Sequence, residues 1–253
     1  VSQNLCYRLA FLLACVALSA ANPVMADQVG DLKSKGKLLF ADDFNRDDGS
    51  SDEDAMGNGW TSNSPWRADG QKQAFLDDGS IRIVTAPGAG HAVTIFHDIE
   101  PAFQDCVASF RYRMNEPADT LSFDFNDPKC KTVHSGHLVI VKLSRKAIQI
   151  QDSKTGTMNL EVREKFKDTP QSPGKKRLMA ATQVSIPFES RLGQWYDVAI
   201  RTQGDLLTLF VDGKEMGELR SPGISHPTKR KLNIGAKTTS PDFDDLQVHS
   251  LDQ

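Results

Sequence analysis

From residue 38 to its last residues the chain reads as short runs in which apolar and polar positions alternate, the period-two signature of half-buried β-strands. Residues 38–40, 80–84 and 91–99 are the first expected strands, separated by turn-forming segments such as Asp77-Asp78-Gly79. In residues 106–114, Phe110, Tyr112 and Met114 point one way and Arg111 and Arg113 the other. In residues 121–126, Leu121, Phe123 and Phe125 share one face, and Ser122, Asp124 and Asn126 share the other. If these two runs form a hairpin, their apolar sets must lie on one side, because a one-residue slip would turn a whole face over. That register brings Cys106 close to Cys130 and sets Arg111 and Arg113 beside Asp124.

Residues 136–143 and 147–151 form a second expected hairpin, turning at Arg145-Lys146. The pattern then breaks over residues 153–182. A short helix is expected over 158–167, with Met158, Val162 and Phe166 on one stripe, followed by a loop at Pro170, Pro173 and Gly174. Lys175-Lys176-Arg177 reads as a solvated basic run. Strands return at 183–186, and 195–201 and 206–211 pair through Gln203-Gly204-Asp205. Asp212-Gly213 is a further turn, and 232–236 and 243–249 close the chain. Many short strands with no strand–helix alternation predict an all-β, two-sheet antiparallel sandwich with one helical excursion.

Composition narrows the function classes. The 253 residues carry 30 Lys+Arg against 33 Asp+Glu, a formal net charge of −3. The basic excess of a nucleic-acid binder is missing. Arg8 followed by an apolar run over residues 9–21, with Val24 and Ala26 at small-residue positions, predicts a signal peptide over 1–26 cleaved after Ala26. The apolar run is short for a membrane span, and no later stretch is apolar enough for one. Leu12-Leu13-Ala14-Cys15 offers a lipoprotein alternative. Residues 27–253 are then a single exported domain, periplasmic or secreted, of sandwich size. This domain keeps only Cys106 and Cys130, and an exported pair predicts a disulfide.

The strand entering Asp42-Asp43-Phe44-Asn45-Arg46, the turn Gly57-Asn58-Gly59-Trp60 and the closing Phe243-Asp244-Asp245-Leu246-Gln247-Val248 resemble concanavalin A-like (laminin-G-like) jelly rolls. The resemblance implies pairing of the first and last strands. A narrower resemblance, to the 3-keto-disaccharide hydrolase family, lies in three segments: Phe125-Asn126-Asp127-Pro128, residues 131–138 and residues 221–229. It implies bacterial export and a carbohydrate ligand.

Candidate chemistry centres on two clusters. His134-Ser-Gly-His137 supplies two imidazoles ahead of a strand, suited to acid–base work or to a divalent metal. Residues three apart face opposite sides of a strand, so both reach one ion only if Ser135-Gly136 turns. His226-Pro227-Thr228-Lys229 is the second cluster, with Pro227 stiffening the loop. Asp124, Asn126, Arg111 and Arg113 on one polar face would hydrogen-bond sugar hydroxyls, and Trp60, Trp66 and Trp195 are candidate stacking surfaces, Trp195 being better placed for the core. The acidic loop over residues 47–54 lacks the spacing of a calcium loop. No compact E-x-D-x-x-E motif, serine elbow or phosphate loop is present.

What the narrower resemblance implies is hydrolysis of 3-keto-glycosides. There His134 or His137 would be the base or a metal ligand, and Lys229 or His226 would stabilise the enolate. Asp124 and Asp127 would orient partners or ligate metal, and Arg111, Arg113, Asn126, Asp127 and Trp66 would contact the saccharide. A non-catalytic carbohydrate-binding module of lectin type is the alternative, and a protein-recognition domain the third.

Overall fold

The computed structural model describes residues 23–237 and 240–252, apart from the side chains of residues 23–28. Most of the expected signal peptide, with Cys6 and Cys15, lies outside the described residues. Helix α1 (Pro23–Lys35) runs across the expected cleavage position.

The strands are β1 (Lys37–Asp42), β2 (Thr61–Ser62), β3 (Ala74–Asp77), β4 (Ser80–Ile83), β5 (Val93–Phe103), β6 (Cys106–Arg113), β7 (Thr120–Asn126) and β8 (His137–Ser144). They continue with β9 (Ala147–Asp152), β10 (Gln183–Pro187), β11 (Trp195–Gln203), β12 (Leu206–Val211), β13 (Lys214–Arg220), β14 (Lys229–Ala236) and β15 (Asp242–Ser250). One antiparallel sheet runs β13-β12-β11-β6-β15-β4-β3, with β1 also on β15. The second runs β10-β9-β8-β7-β14-β5-β2. The fold is the expected two-sheet jelly roll, closed by the pairing of first and last strands.

The core lies between the sheets. Phe110 of β6 stacks on Phe123 of β7 at 4.9 Å, and on Phe243 of β15 at 4.9 Å. These contacts correct the first expected hairpin. β6 sits between β11 and β15, whereas β7 sits between β8 and β14 in the opposite sheet. Two apolar faces can share a core either side by side or face to face, and alternation alone does not separate the two; the chain takes the second. The disulfide falls with the hairpin. Cys106 is a buried free thiol beside Thr202, and Cys130 is a free, half-buried thiol beside Thr132.

The excursion holds two helices, α3 (Leu160–Lys165) and α4 (Pro173–Thr182), the latter where a loop and a solvated basic run were expected. Its start has a clear cause. Ser172 caps it by accepting from Lys175 N at 3.3 Å, and Pro173 occupies the first turn, where a missing N–H costs nothing.

Candidate functional site

The outer face of the second sheet carries the site. Asp124 lies opposite Asn233 on one side and Ile140 on the other; Asn126 lies opposite Lys231 and His137. Phe96 of β5 lies opposite Asn233, which places Phe96, Asn233, Asp124 and Ile140 in one cross-strand row. Four adjacent strands span about 14 Å. All these side chains point away from the core, because Phe123, Phe125, Leu232 and Ile234 alternate with them and are fully buried.

Three of the floor residues are nonetheless enclosed. Asp124, Asn126 and Asn233 are 4%, 1% and 8% exposed. Asp124 Oδ1, both side-chain atoms of Asn126 and Asn233 Oδ1 are buried without a partner in full hydrogen-bond geometry, although the Asn126 amide lies near enough to Asp124 to favour its charge. Unsatisfied buried polar groups cost free energy, and a cluster of them on one outward face marks where a polar ligand would repay that cost.

His137 stands at the edge of this floor. Its Nδ1 donates to Asp124 Oδ2. Burial opposes protonation of the imidazole, but the hydrogen bond and charge of Asp124 outweigh it and raise the His137 pKa. Burial raises that of Asp124 as well, offset in part by His137. Both directions say the pair holds on to a proton, which suits general acid–base chemistry.

The turn before β8 explains how His137 reaches Asp124. Ser135 and Gly136 both take left-handed backbone, with φ of 51° and 77°. Gly136 packs so closely that a Cβ there would meet Asp127 O at 2.6 Å. Its carbonyl accepts from Asp127 N at 2.9 Å, which closes β7 onto the turn. His134 ends on the exposed side of that turn; burial, with the charges of Arg163 and His137, lowers its pKa. Among the described residues no group of three or more His, Cys, Asp or Glu gathers to hold a metal ion, so His134 and His137 lack the further ligands. The residues therefore do not build the metal site expected at His134 and His137.

The second cluster is a brace next to the first. Asp127 accepts from His226 Nε2 at 3.0 Å, Thr228 Oγ1 at 2.6 Å and Lys129 N at 2.8 Å, and pairs with Arg230 at 3.2 Å. Burial works against its charge, but these donors hold the Asp127 carboxyl below the usual range. His226 is 8% exposed, and burial lowers its pKa. Lys229 is corrected outright: it is fully buried, and its ammonium donates to the carbonyls of Gln104, Ile224 and His226. Three donors meet three acceptors, so none is left for an enolate.

Arg111 and Arg113 are corrected too. They lie on the outer face of the other sheet, where Arg113 binds Asp242 at 2.6 Å and Arg111 binds Asp245 at 3.0 Å. Trp195 is no core residue: both guanidinium groups lie over its ring, at 4.8 and 4.7 Å. Trp60 is buried, its indole N–H donating to Asp42 at 2.8 Å. Trp66 belongs to the site. It is 62% exposed, sits on a short helix α2 (Ser64–Arg67), and stacks on Phe96 at 6.2 Å with the planes 8° apart.

The acidic loop turns out to hold Trp66 in place. Asp54 accepts from Ser62 Oγ and Ser64 Oγ at 2.5 Å each, and from Gln73 N and Ala74 N at 2.7 and 2.8 Å. A cleft of about 370 Å³ lies elsewhere, between Asp42, Arg46, Asn58 and Asp245. Its floor carboxylate, Asp42, is already bound by Arg46, Asn58, Trp60 and Phe44 N, so the cleft offers a ligand fewer open groups than the second sheet does.

Sequence reasoning missed Asn233 and Phe96. Asn233 lies in a run expected as strand, but its face is known only once β14 is paired with β7.

No protein-family model and no curated protein matches the chain. Among solved structures, it is similar to SCLam, a non-specific endo-β-1,3(4)-glucanase from family GH16, at 11% identity and a TM-score of 0.57; the match covers 87% of this chain and 93% of that one. A Bacillus licheniformis β-glucanase matches at 12% identity and 0.52, covering 85% and 98%. A sialidase matches at 14% identity and 0.55, covering 86% of this chain, which spans only 19% of that protein. At such identities the likeness establishes the fold alone: a two-sheet antiparallel jelly-roll sandwich.

Proposed function

We propose that this chain is an exported saccharide-processing hydrolase whose site is the outer face of the second sheet, with 3-keto-glycosides or related saccharides as substrates. The observation that carries the proposal is the His137–Asp124 pair beside the buried polar atoms of Asp124, Asn126 and Asn233 that lack a full hydrogen bond. Carbohydrates present dense hydroxyl donors and acceptors, which such a floor would satisfy, and a flat ring face suited to Trp66. The likeness to glucanases supports carbohydrate as the ligand class, and the segments resembling 3-keto-disaccharide hydrolases supply the substrate.

Hydrolysis by elimination and hydration fits the residues better than a carboxylate pair does. A ketone at C3 acidifies the C2 proton. Neutral His137 takes that proton at Nε2, with Asp124 stabilising the imidazolium through Nδ1. The electron pair passes to the ketone oxygen as an enolate, which the Asn126 amide N–H would stabilise. The enolate collapses, the C1–O bond breaks, and the departing oxygen takes the proton held at His137 Nε2, which restores the neutral imidazole. Water then adds across C1 and C2, hydroxyl to C1 and proton to C2, so the sum is hydrolysis. In this reading His226 and Asp127 are positioning residues, and Lys229 is structural.

The test is product release from a panel of 3-keto and unmodified glycosides, with and without chelator. Turnover of the keto substrates, lost in His137→Ala, is the expected result. Saccharide binding without turnover of any substrate would replace the hydrolase with a carbohydrate-binding module at the same face. Turnover unchanged in His137→Ala would remove the proposed base.

A further inference from the structure

Many cations on the sheets and their connecting loops are matched by carboxylates. Arg82 and Arg113 share Asp242, Arg111 lies among Asp197, Asp244 and Asp245, Arg46 binds Asp42, Lys72 binds Asp48, and Arg220 binds Asp205. Two cations without an ion pair stand close enough to His137 for their charges to act on it. Lys142 lies opposite Ser122 and Gln149, two residues along β8 from Ile140, and so shares the outward face with Asp124. It is exposed and makes no ion pair among the described residues. Arg163 stands on α3, which the backbone ties to the histidine turn: His134 N donates to Met158 O at 2.8 Å, and Leu160 N donates to Thr132 O at 3.0 Å. The Arg163 side chain reaches Met158 Sδ at 3.7 Å, its charge acts on His134 and His137, and it makes no ion pair among the described residues.

These two cations have company. Residues 153–182 carry seven Lys and Arg against three Asp and Glu in a chain that is net acidic. Of the three acids, Glu164 is paired with Lys167. The floor carboxylates are mostly spoken for: Asp124, which the charge of Lys142 also reaches, is bonded to His137, and Asp127 is held by His226, Thr228 and Arg230. The His137 end of the face thus carries an excess of positive charge that no ion pair takes up. Such charge destabilises the free protein slightly and attracts anions by steering.

We propose that the site takes an acidic saccharide, one bearing a carboxylate or sulfate, and that Lys142 and Arg163 are the specificity-determining residues that receive the acid group beside His137. This rests on the reading of the second sheet as a saccharide site. Arg163 offers a planar fork for two anion oxygens and Lys142 a point charge, so both carboxylate and sulfate fit.

The test is binding, by calorimetry, of neutral gluco-oligosaccharides, of uronic-acid oligosaccharides and of sulfated galacto-oligosaccharides, at about 50 and about 300 mM salt. The expected result is that acidic oligosaccharides bind about tenfold or more tightly than neutral ones at low salt, with the gap narrowing at high salt. The ratio should collapse in the double variant Lys142→Ala/Arg163→Ala and persist in Lys214→Ala, which removes one charge at the far edge of the other sheet. The uronate and sulfate arms identify which acid is preferred. Neutral oligosaccharides binding as tightly as acidic ones would overturn this inference and leave the saccharide site standing. So would a ratio unmoved in the double variant, or reduced equally in Lys214→Ala. Binding of none of the three classes would overturn both.

Discussion

Replacing Asp152 by Asn should loosen the loop that carries His226. Asp152 is 1% exposed at the end of β9. Its Oδ2 accepts from Ser221 Oγ at 2.5 Å, Gly223 N at 2.8 Å and Thr155 Oγ1 at 2.5 Å, and its Oδ1 accepts from Thr155 N at 3.0 Å. The contact with Gly223 is tight enough that a Cβ there would lie 2.0 Å from Asp152 Oδ1. An asparagine can place its oxygen at only one of the two positions. Its NH2 then faces an N–H, the half-buried one of Thr155 in one orientation and the buried one of Gly223 in the other. The least cost is one charge-assisted bond plus one unsatisfied donor, about 2–4 kcal/mol. For a domain of this size that lowers Tm by about 5–12 °C. Thermal unfolding followed by circular dichroism reads this directly. A loss under about 2 °C would refute the reasoning, because it would mean that the four donors find other partners at no cost.

Other outcomes follow from the same structure. Gly136→Ala forces a Cβ against Asp127 O in left-handed backbone, and should cost about 1–3 kcal/mol and lower turnover along with stability, by denaturant titration and kinetics. Because Asp124 raises the His137 pKa, the rise of kcat/KM with pH should move to lower pH in Asp124→Asn, tracked by NMR of the imidazole. The same raised pKa means His137 adds stability that is fully present below its unfolded value of about 6.5 and is lost as pH rises through the folded value. Iodoacetamide should label Cys130 in the native protein but Cys106 only after denaturation, since burial pushes the Cys106 thiol up to about 11; a Cys106–Cys130 crosslinked peptide in a non-reducing digest would contradict the structure.

Most strands were legible because they carry their own period-two pattern, whereas β2, β3 and β13 were not expected; the pairing of β8 with β9 and of β11 with β12 was legible because their turns are short. The placement of β6 was not, since Phe110, Tyr112 and Met114 would be buried equally well beside Phe123 or across from it. That single ambiguity produced the false disulfide and put Arg111 and Arg113 on the wrong sheet. His137, Asp124, Asn126 and Trp66 were visible as residue types at plausible spacings. The burial of Lys229 was hidden, because its outward neighbours Arg230 and Lys231 make it look like one member of a solvated basic run. Asp54 was equally opaque: nothing local says that an acid in a Ser-rich loop will collect two hydroxyls and two backbone amides.

The central claim is that saccharide binds the outer face of the second sheet. Amide NMR during titration with a 3-keto-glycoside tests it most directly. The account predicts shifts concentrated at Phe96, Asp124, Asn126, His137 and Asn233, with Trp66 Nε1–H moving in step. Shifts confined to Asp42, Asn58 and Asp245, or to Arg111 and Trp195 on the opposite sheet, would contradict it.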